Sequence, residues 1–315
     1  MSAPFAFRIG VDENGMGPRL GPMLVTAVLA ATDERGHKAV ERRARGGMKA
    51  RVGDSKELVS HGDVALGEAW ARVLAEISGA RPTTVDDVVH AISLDAPDEL
   101  RRPCPDHVRP QCWGDGGEAL SAPEDLVAEV RRDVKKLEKS GVRIVGVRSV
   151  VVCTKRLNEA VDRGHSRFIV DLHSMERLVL DFREQVGESV LAVCGKVGGL
   201  RQYEPAFGPL SGRLCTVLDE RKERSAYHFP GLGEMRFLMD ADGSDKLVSI
   251  ASLVGKYLRE VLMARIVRHY GTKVSGLPDA SGYHDRITNE FVEATALVRR
   301  RAKVPADCFE RRAIG

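Results

Sequence analysis

The stretch GVDENGMGPRLGP, Gly10 to Pro22, ends an apolar run with two adjacent carboxylates, Asp12 and Glu13, and follows them with glycines and prolines. Phe5 to Val11 before it and Pro22 to Ala30 after it are apolar and rich in β-formers, and read as neighbouring strands or a hairpin with a wide turn. Adjacent acids at a strand end repel each other and lose hydration when partly buried, so they persist where a cation or a set of donors neutralises them. Hard divalent cations such as Mg²⁺ take oxygen ligands and keep waters, which leaves room for phosphate oxygens. Successive strand side chains point to opposite faces, so Asp12 and Glu13 share one ion only where the strand ends or twists. The glycine loop supplies that ending. The same local pattern also fits a solvated turn with incidental charges.

Working outward, a second acidic cluster, MDADGSDK, places Asp240, Asp242 and Asp245 after an apolar strand (Met235 to Met239) and before a long helix from about Asp245 to Tyr270. Two acidic strand ends on one sheet would make a carboxylate nest for metal-dependent phosphoryl transfer. Asp245, at the helix start, reads as a cap.

Between these clusters, helical spacing runs over His61–Ile77, Pro123–Ser140 and Arg167–Val186. Strands read at Val142–Val152, Ser189–Val193 and Arg213–Leu218. A last helix follows the loop SGLPDASGYHD. The alternation predicts an α/β fold, a mixed sheet flanked by helices, in a single domain over residues 1–315. An irregular insertion is expected at about 81–140 and a helical C-terminal part at about 245–315. Its Pro-, Asp- and Gly-rich portion, Arg81 to Ala122, reads as an insertion or lid.

Hydrophobic residues make up 43% and charged residues 30%, the balance of a globular chain. Forty-eight Lys and Arg against 45 Asp and Glu give a net charge of +3, too small to argue for nucleic acid by itself. No run is apolar enough to span a bilayer, and MSAPFAFRIG lacks the pattern of a secretory signal, so no membrane association and a cytoplasmic location are expected. Cys104, Cys112, Cys153, Cys194, Cys215 and Cys308 follow no CxxC spacing and read as reduced thiols. In CPDHVRPQC, Cys104, His107 and Cys112 could hold zinc only with a fourth ligand from elsewhere.

GVDENGMGPRLGPMLVTAVLA resembles the N-terminal signature of the ribonuclease HII family, an Asp-Glu pair followed by Gly-x-Gly-Pro and a second Gly-Pro. GDSKEL resembles that family's Asp-Ser-Lys motif. DADGSDKLVSIASLVGKYLRE resembles its late motif, an Asp seven residues before a Ser-x-Ala-Ser helix that carries a Lys, and ASGYHD resembles its Gly-Tyr motif. The resemblance implies a ribonuclease H-like fold and cleavage of RNA in RNA/DNA hybrids or at ribonucleotides embedded in DNA. It further implies Mg²⁺ or Mn²⁺ held by four carboxylates. Carried over by position, it assigns Asp12, Glu13 and Asp242 to catalysis and metal binding. It assigns the loop Gly15-Met16-Gly17, Lys56, Lys256 and Tyr283 to the substrate. A monomer is expected.

Two departures from the family pattern stand out. Met16 replaces the Arg of the family's Gly-Arg-Gly. The strand that should end in the third acid, SVLAV, ends instead in Cys194-Gly195-Lys196. Asp171 becomes the missing ligand if RFIV is that strand rather than part of a helix, and the helical spacing favours the helix. The following GKVGGLRQY offers Lys196 and Arg201 on a glycine-rich turn, either a phosphate-binding loop or a plain turn. Three readings result: a divergent metal-dependent nuclease, a nucleic-acid-binding relative with a weakened or inactive site, and a pocket for a small phosphorylated ligand.

Overall fold

The computed structural model describes residues 5–114 and 118–312; part of the predicted insertion, 115–117, lies outside the described residues. In chain order the strands are β1 (Phe7–Asn14), β2 (Met23–Thr32), β3 (Val142–Val152), β4 (Val190–Gly195), β5 (Thr216–Glu220), β6 (Arg224–Phe229) and β7 (Gly233–Leu238). Between β2 and β3 lie helices α1 (Glu34–Val40), α2 (Ser55–Leu58), α3 (Ala65–Ile77), α4 (Val85–Ile92), α5 (Pro97–Arg101), α6 (Arg109–Trp113) and α7 (Glu124–Lys139). Helices α8 (Thr154–Asp162) and α9 (Arg167–Val186) precede β4, and α10 (Ala241–Ser244), α11 (Lys246–Gly271), α12 (Arg286–Arg301) and α13 (Ala306–Phe309) follow β7.

The strands form one seven-stranded sheet in the order β3-β2-β1-β4-β7-β6-β5. β1 pairs antiparallel with β2 and parallel with β4, and β4 pairs parallel with β7. This is the mixed sheet flanked by helices that the alternation of elements predicts. Period-two alternation in β2 divides the core. Leu24, Val28 and Ala30 pack with Trp70 of α3 and Leu253 of α11, whereas Met23, Val25, Ala27 and Leu29 pack with Leu172, Met175 and Phe182 of α9.

Helix α11 lies directly against β1, and Gly10 makes that approach possible. A Cβ at Gly10 would fall 2.3 Å from the Val248 amide nitrogen. The start of α11 is fastened to the same strand by a buried ion pair, with Arg8 Nη2 2.5 Å from Asp245 Oδ2. Asp245 Oδ1 accepts from the amides of Leu247 (2.8 Å) and Val248 (3.1 Å), so this acid is the cap its position suggests.

Several expectations need correcting. β1 does not stop before the acids: it continues through Asp12, paired with Thr26, and Glu13, paired with Val25, to Asn14. The 81–122 segment is not a lid. Val85, Val88, Val89, Ile92, Leu100 and Trp113 are buried in the α3–α11 core, and α4 opens with a capping box between Thr84 and Asp87. Turn residues hid this short helical structure because each piece is too brief to show periodicity. Strand β6 was missed among charged neighbours, although it pairs with both β5 and β7. RFIV is helical, as its spacing indicates, so Asp171 is no strand-end residue.

Candidate active site

The C-terminal ends of the parallel strands β1, β4 and β7 open into a cleft of about 480 Å³, the end of an α/β sheet where ligands bind by general rule. Asp12, Glu13, the loop Gly15–Gly17, Lys56, Lys196, Asp242, Lys256 and Tyr283 all line it. Most of the residues singled out in the sequence therefore share one cavity. Arg201 does not line the cleft: it is exposed, and it lies near enough to Lys196 for its charge to help lower that ammonium's pKa, behind burial as the main cause.

The strand alternation splits the acidic pair between two layers. Asp12 faces α11, where Ser252 hydrogen-bonds it, and burial reinforced by the charges of Asp242 and Glu13 pushes its carboxyl up to about 8. A Cβ at Gly195 would lie 2.7 Å from Asp12 Oδ1, so only glycine leaves this carboxylate its place beside β4. Glu13 faces the opposite layer. Burial pushes it up to about 7 against the opposing pull of Arg311, Arg259 and Lys56.

Asp171 occupies the second turn of α9 and is buried at 2% exposure, on the apolar stripe that continues through Met175, Leu178 and Phe182. Burial and the charges of Glu13 and Asp12 push its carboxyl well above the usual range. The strand-end position next to it is Cys194, whose thiol is pushed up by burial and by the charges of Asp171 and Asp12. Thus the helix beneath the sheet, and not the strand, brings a third acid toward Asp12 and Glu13. A signal was present in the sequence: a carboxylate heads an otherwise apolar helical stripe. Asp242 on α10 is raised by burial and by the nearby charge of Asp54.

Glu13 Oε1, Asn14 Oδ1 and Asp171 Oδ1 are buried with no hydrogen-bond partner among the described residues. Buried acceptors normally find partners, and orphaned carboxylate oxygens beside raised acids fit a hard divalent cation. Among the described residues no three His, Cys, Asp or Glu side chains already converge closely enough to hold an ion. Binding would therefore have to draw them together.

Cationic groups missed in the sequence ring the glycine loop. Arg167 Nη1 donates to the carbonyls of Met16 (3.2 Å) and Pro18 (3.4 Å). Arg311 donates to the carbonyls of Gly15, Met16 and Gly21. Arg259 donates to Ser281 O at 2.7 Å and lies 4.6 Å above the Tyr283 ring, which fixes that half-exposed tyrosine at the cleft rim. Arg259 sits three residues after Lys256 on the same helical face, a spacing that would have found it. Arg311 carries no local signal. Its placement depends on the chain end returning to pair with the loop, through the bridge between Leu20 and Glu310. Lys256 Nζ donates to Ser55 O at 3.0 Å, and Lys196 Nζ to Arg221 O at 3.0 Å.

Fold and cleft together define an α/β protein with an acid- and lysine-lined cleft at the carboxyl ends of its parallel strands. No family profile and no curated protein matches the sequence. Among solved structures, the chain is similar to the RNase HII of Archaeoglobus fulgidus, solved with PCNA, at 15% identity and a TM-score of 0.42 over 97% of this chain and 94% of that one. It is similar to ribonuclease H2 from Pyrococcus horikoshii at 15% identity and a TM-score of 0.46, over 96% of this chain and 92% of that one. Bst-RNase HIII in complex with Mn²⁺ is 14% identical, with a TM-score of 0.44 over 98% of this chain and 67% of that one.

Proposed function

We propose that this protein is a metal-dependent phosphodiesterase of the ribonuclease HII type, cutting the RNA strand of RNA/DNA hybrids or ribonucleotides embedded in DNA. One observation carries the reading: Asp12, Glu13 and Asp242 line one cleft with Lys56, Lys196 and Lys256 at the end of the parallel strands, with the buried Asp171 near enough behind it for the charges of Asp12 and Glu13 to raise its carboxyl. In this reading these carboxylates hold Mg²⁺ or Mn²⁺, which when bound activates a water and neutralises charge on the phosphate. Lys56 and Lys256 take phosphate oxygens, and Lys196 extends the same positive rim across β4. Gly15, held at φ 92°, turns the backbone of the loop toward the substrate, where main-chain groups can meet a ribose 2′-hydroxyl. Tyr283, held by Arg259, stacks at the sugar.

A second reading, a nucleic-acid-binding relative without turnover, is favoured by Cys194 at the strand end where the family has its third acid. The test is cleavage of a labelled RNA/DNA hybrid, a duplex carrying one ribonucleotide and an all-DNA duplex, with Mg²⁺ and with Mn²⁺. Cleavage confined to the ribonucleotide-containing strands, and lost in Asp12→Asn, supports the nuclease. Binding without cleavage supports the second reading.

A further inference from the structure

A chain of hydrogen-bonded charges leads from the protein surface to Tyr283 at the cleft rim. It begins at His61, an exposed residue in the turn between α2 and α3 that Ser60 and Asp63 close with mutual backbone bonds. The two ring nitrogens of His61 meet carboxylates from two different elements. Nδ1 stands 2.8 Å from Glu260 Oε2 on α11, and Nε2 stands 3.2 Å from Asp279 Oδ2 in the loop that leads to Tyr283. Only an imidazolium donates from both nitrogens. Burial lowers the pKa of this ring, but the hydrogen bond and charge of Glu260, and then those of Asp279, outweigh it and hold the ring above its ordinary value.

The chain continues through Glu260, whose other oxygen, Oε1, accepts from Arg259 Nη1. Arg259 Nη2 donates to Ser281 O at 2.7 Å, and the guanidinium lies 4.6 Å from the centre of the Tyr283 ring. The same side chain packs under the glycine loop, where a Cβ at Gly15 would fall 3.0 Å from Arg259 Cδ. The two contacts of His61 are therefore unequal. Asp279 is exposed, and a surface pair of this kind contributes little. Glu260 is buried, and among the described residues His61 is the one hydrogen-bond partner of its Oε2. Without that donor the carboxylate turns to find another, and Arg259, which it holds, loses its fixed direction.

We propose that His61 is a positioning residue of the cleft: through Nδ1 it holds Glu260, Glu260 holds Arg259, and Arg259 holds the Tyr283 ring in the orientation that meets a nucleotide. This role rests on the nuclease reading of the cleft. His61 itself lies outside the cleft lining and acts only through the chain of contacts. Asparagine and glutamine separate its two contacts, because the amide nitrogen of asparagine reaches about where Nδ1 stands and that of glutamine about where Nε2 stands. His61→Asn therefore keeps the bond to Glu260, and His61→Gln keeps only the bond to Asp279.

The test labels the full chain with 3-fluorotyrosine and follows it by fluorine NMR without metal. Of the five tyrosines only Tyr283 is exposed, and Tyr283→Phe assigns its resonance. His61→Gln should move that resonance toward the position of free fluorotyrosine, and His61→Asn should leave it near the parent position. In cleavage of the RNA/DNA hybrid, His61→Gln should raise KM by about fivefold or more and change kcat by less than about twofold, with His61→Asn recovering most of the loss. A Tyr283 resonance unmoved in His61→Gln, one displaced equally in both variants, or a KM that does not follow the resonance would overturn the proposal. A parent that binds the hybrid without cutting it counts against the nuclease reading alone, and the Kd for the hybrid then takes the place of KM with the same expectation. A parent that neither binds nor cuts the hybrid overturns both.

Discussion

Asp12 shows what the site costs the metal-free protein. Its carboxyl stands at about 8 in the folded chain against an ordinary 3.8, so between these values the unfolded chain is ionised while the folded chain keeps its proton. Folding then binds protons, and stability falls as pH rises through that window and levels off above it. Asp12→Asn removes the share of this slope that Asp12 contributes, leaving that of Glu13 and Asp171. With chelator present, urea unfolding should show the variant more stable than the parent by roughly 5 kcal/mol at about pH 8 and nearly equal to it at about pH 4. The same variant should be devoid of cleavage; equal stability at both pH values would remove the claim that burial holds this acid protonated. Asp12 and Glu13 were legible in the sequence because adjacent acids after an apolar run are conspicuous. Asp171 was legible only as an alternative tied to the wrong element: the helix was read correctly, but which layer its buried face meets is a tertiary fact.

At the scale of elements, two contacts hold the site together. The first is the seating of α11 on β1 at Gly10, where an added Cβ would meet backbone at 2.3 Å. Backbone cannot move aside as a flexible side chain can, so Gly10→Ala should cost about 3 kcal/mol or more, measured by urea unfolding. A loss within experimental error would mean that α11 does not seat there. The second contact is the clamp of Arg311 on the carbonyls of Gly15, Met16 and Gly21. Arg311→Met leaves those carbonyls without their donor and should destabilise the fold by about 3 kcal/mol, with Arg311→Lys recovering part of it. If cleavage is found, the Lys variant should raise KM for the hybrid more than it lowers kcat, because the clamp shapes the loop that meets substrate. Local pattern predicted α7 and β3 closely, since a charged amphipathic helix and a β-branched run each show their period within the segment. It could not show the Arg311 clamp, because chain-end return is set by packing across the whole fold. Strand β6 escaped for a related reason: its ladder partners, not its composition, make it a strand.

For the whole molecule, the proposed function makes the sheet order and the acids at one end of it a single device. The strands carry Asp12 and Glu13 on opposite faces of β1, α10 brings Asp242 at the strand ends, and α9 brings Asp171 from beneath. A cation that binds only this folded arrangement should stabilise it by about 2.7 kcal/mol at a hundredfold excess over its Kd, read as a rise in Tm with Mn²⁺ that is lost in Asp12→Asn. The fold class was legible from the alternation of elements and from the motifs that stay near the strand ends. The proposed replacement of a strand-end acid by a helix acid was not, since it depends on how two layers meet. The central claim is that Asp171 stands in for the missing strand-end carboxylate, and the most direct measurement is a Mn²⁺ titration of the parent and Asp171→Asn, followed by calorimetry. The account predicts one saturable site in the parent, with proton release on binding, and an affinity lower by about tenfold or more in the variant. Equal Mn²⁺ affinity in the two proteins, or no saturable binding in the parent, would contradict it.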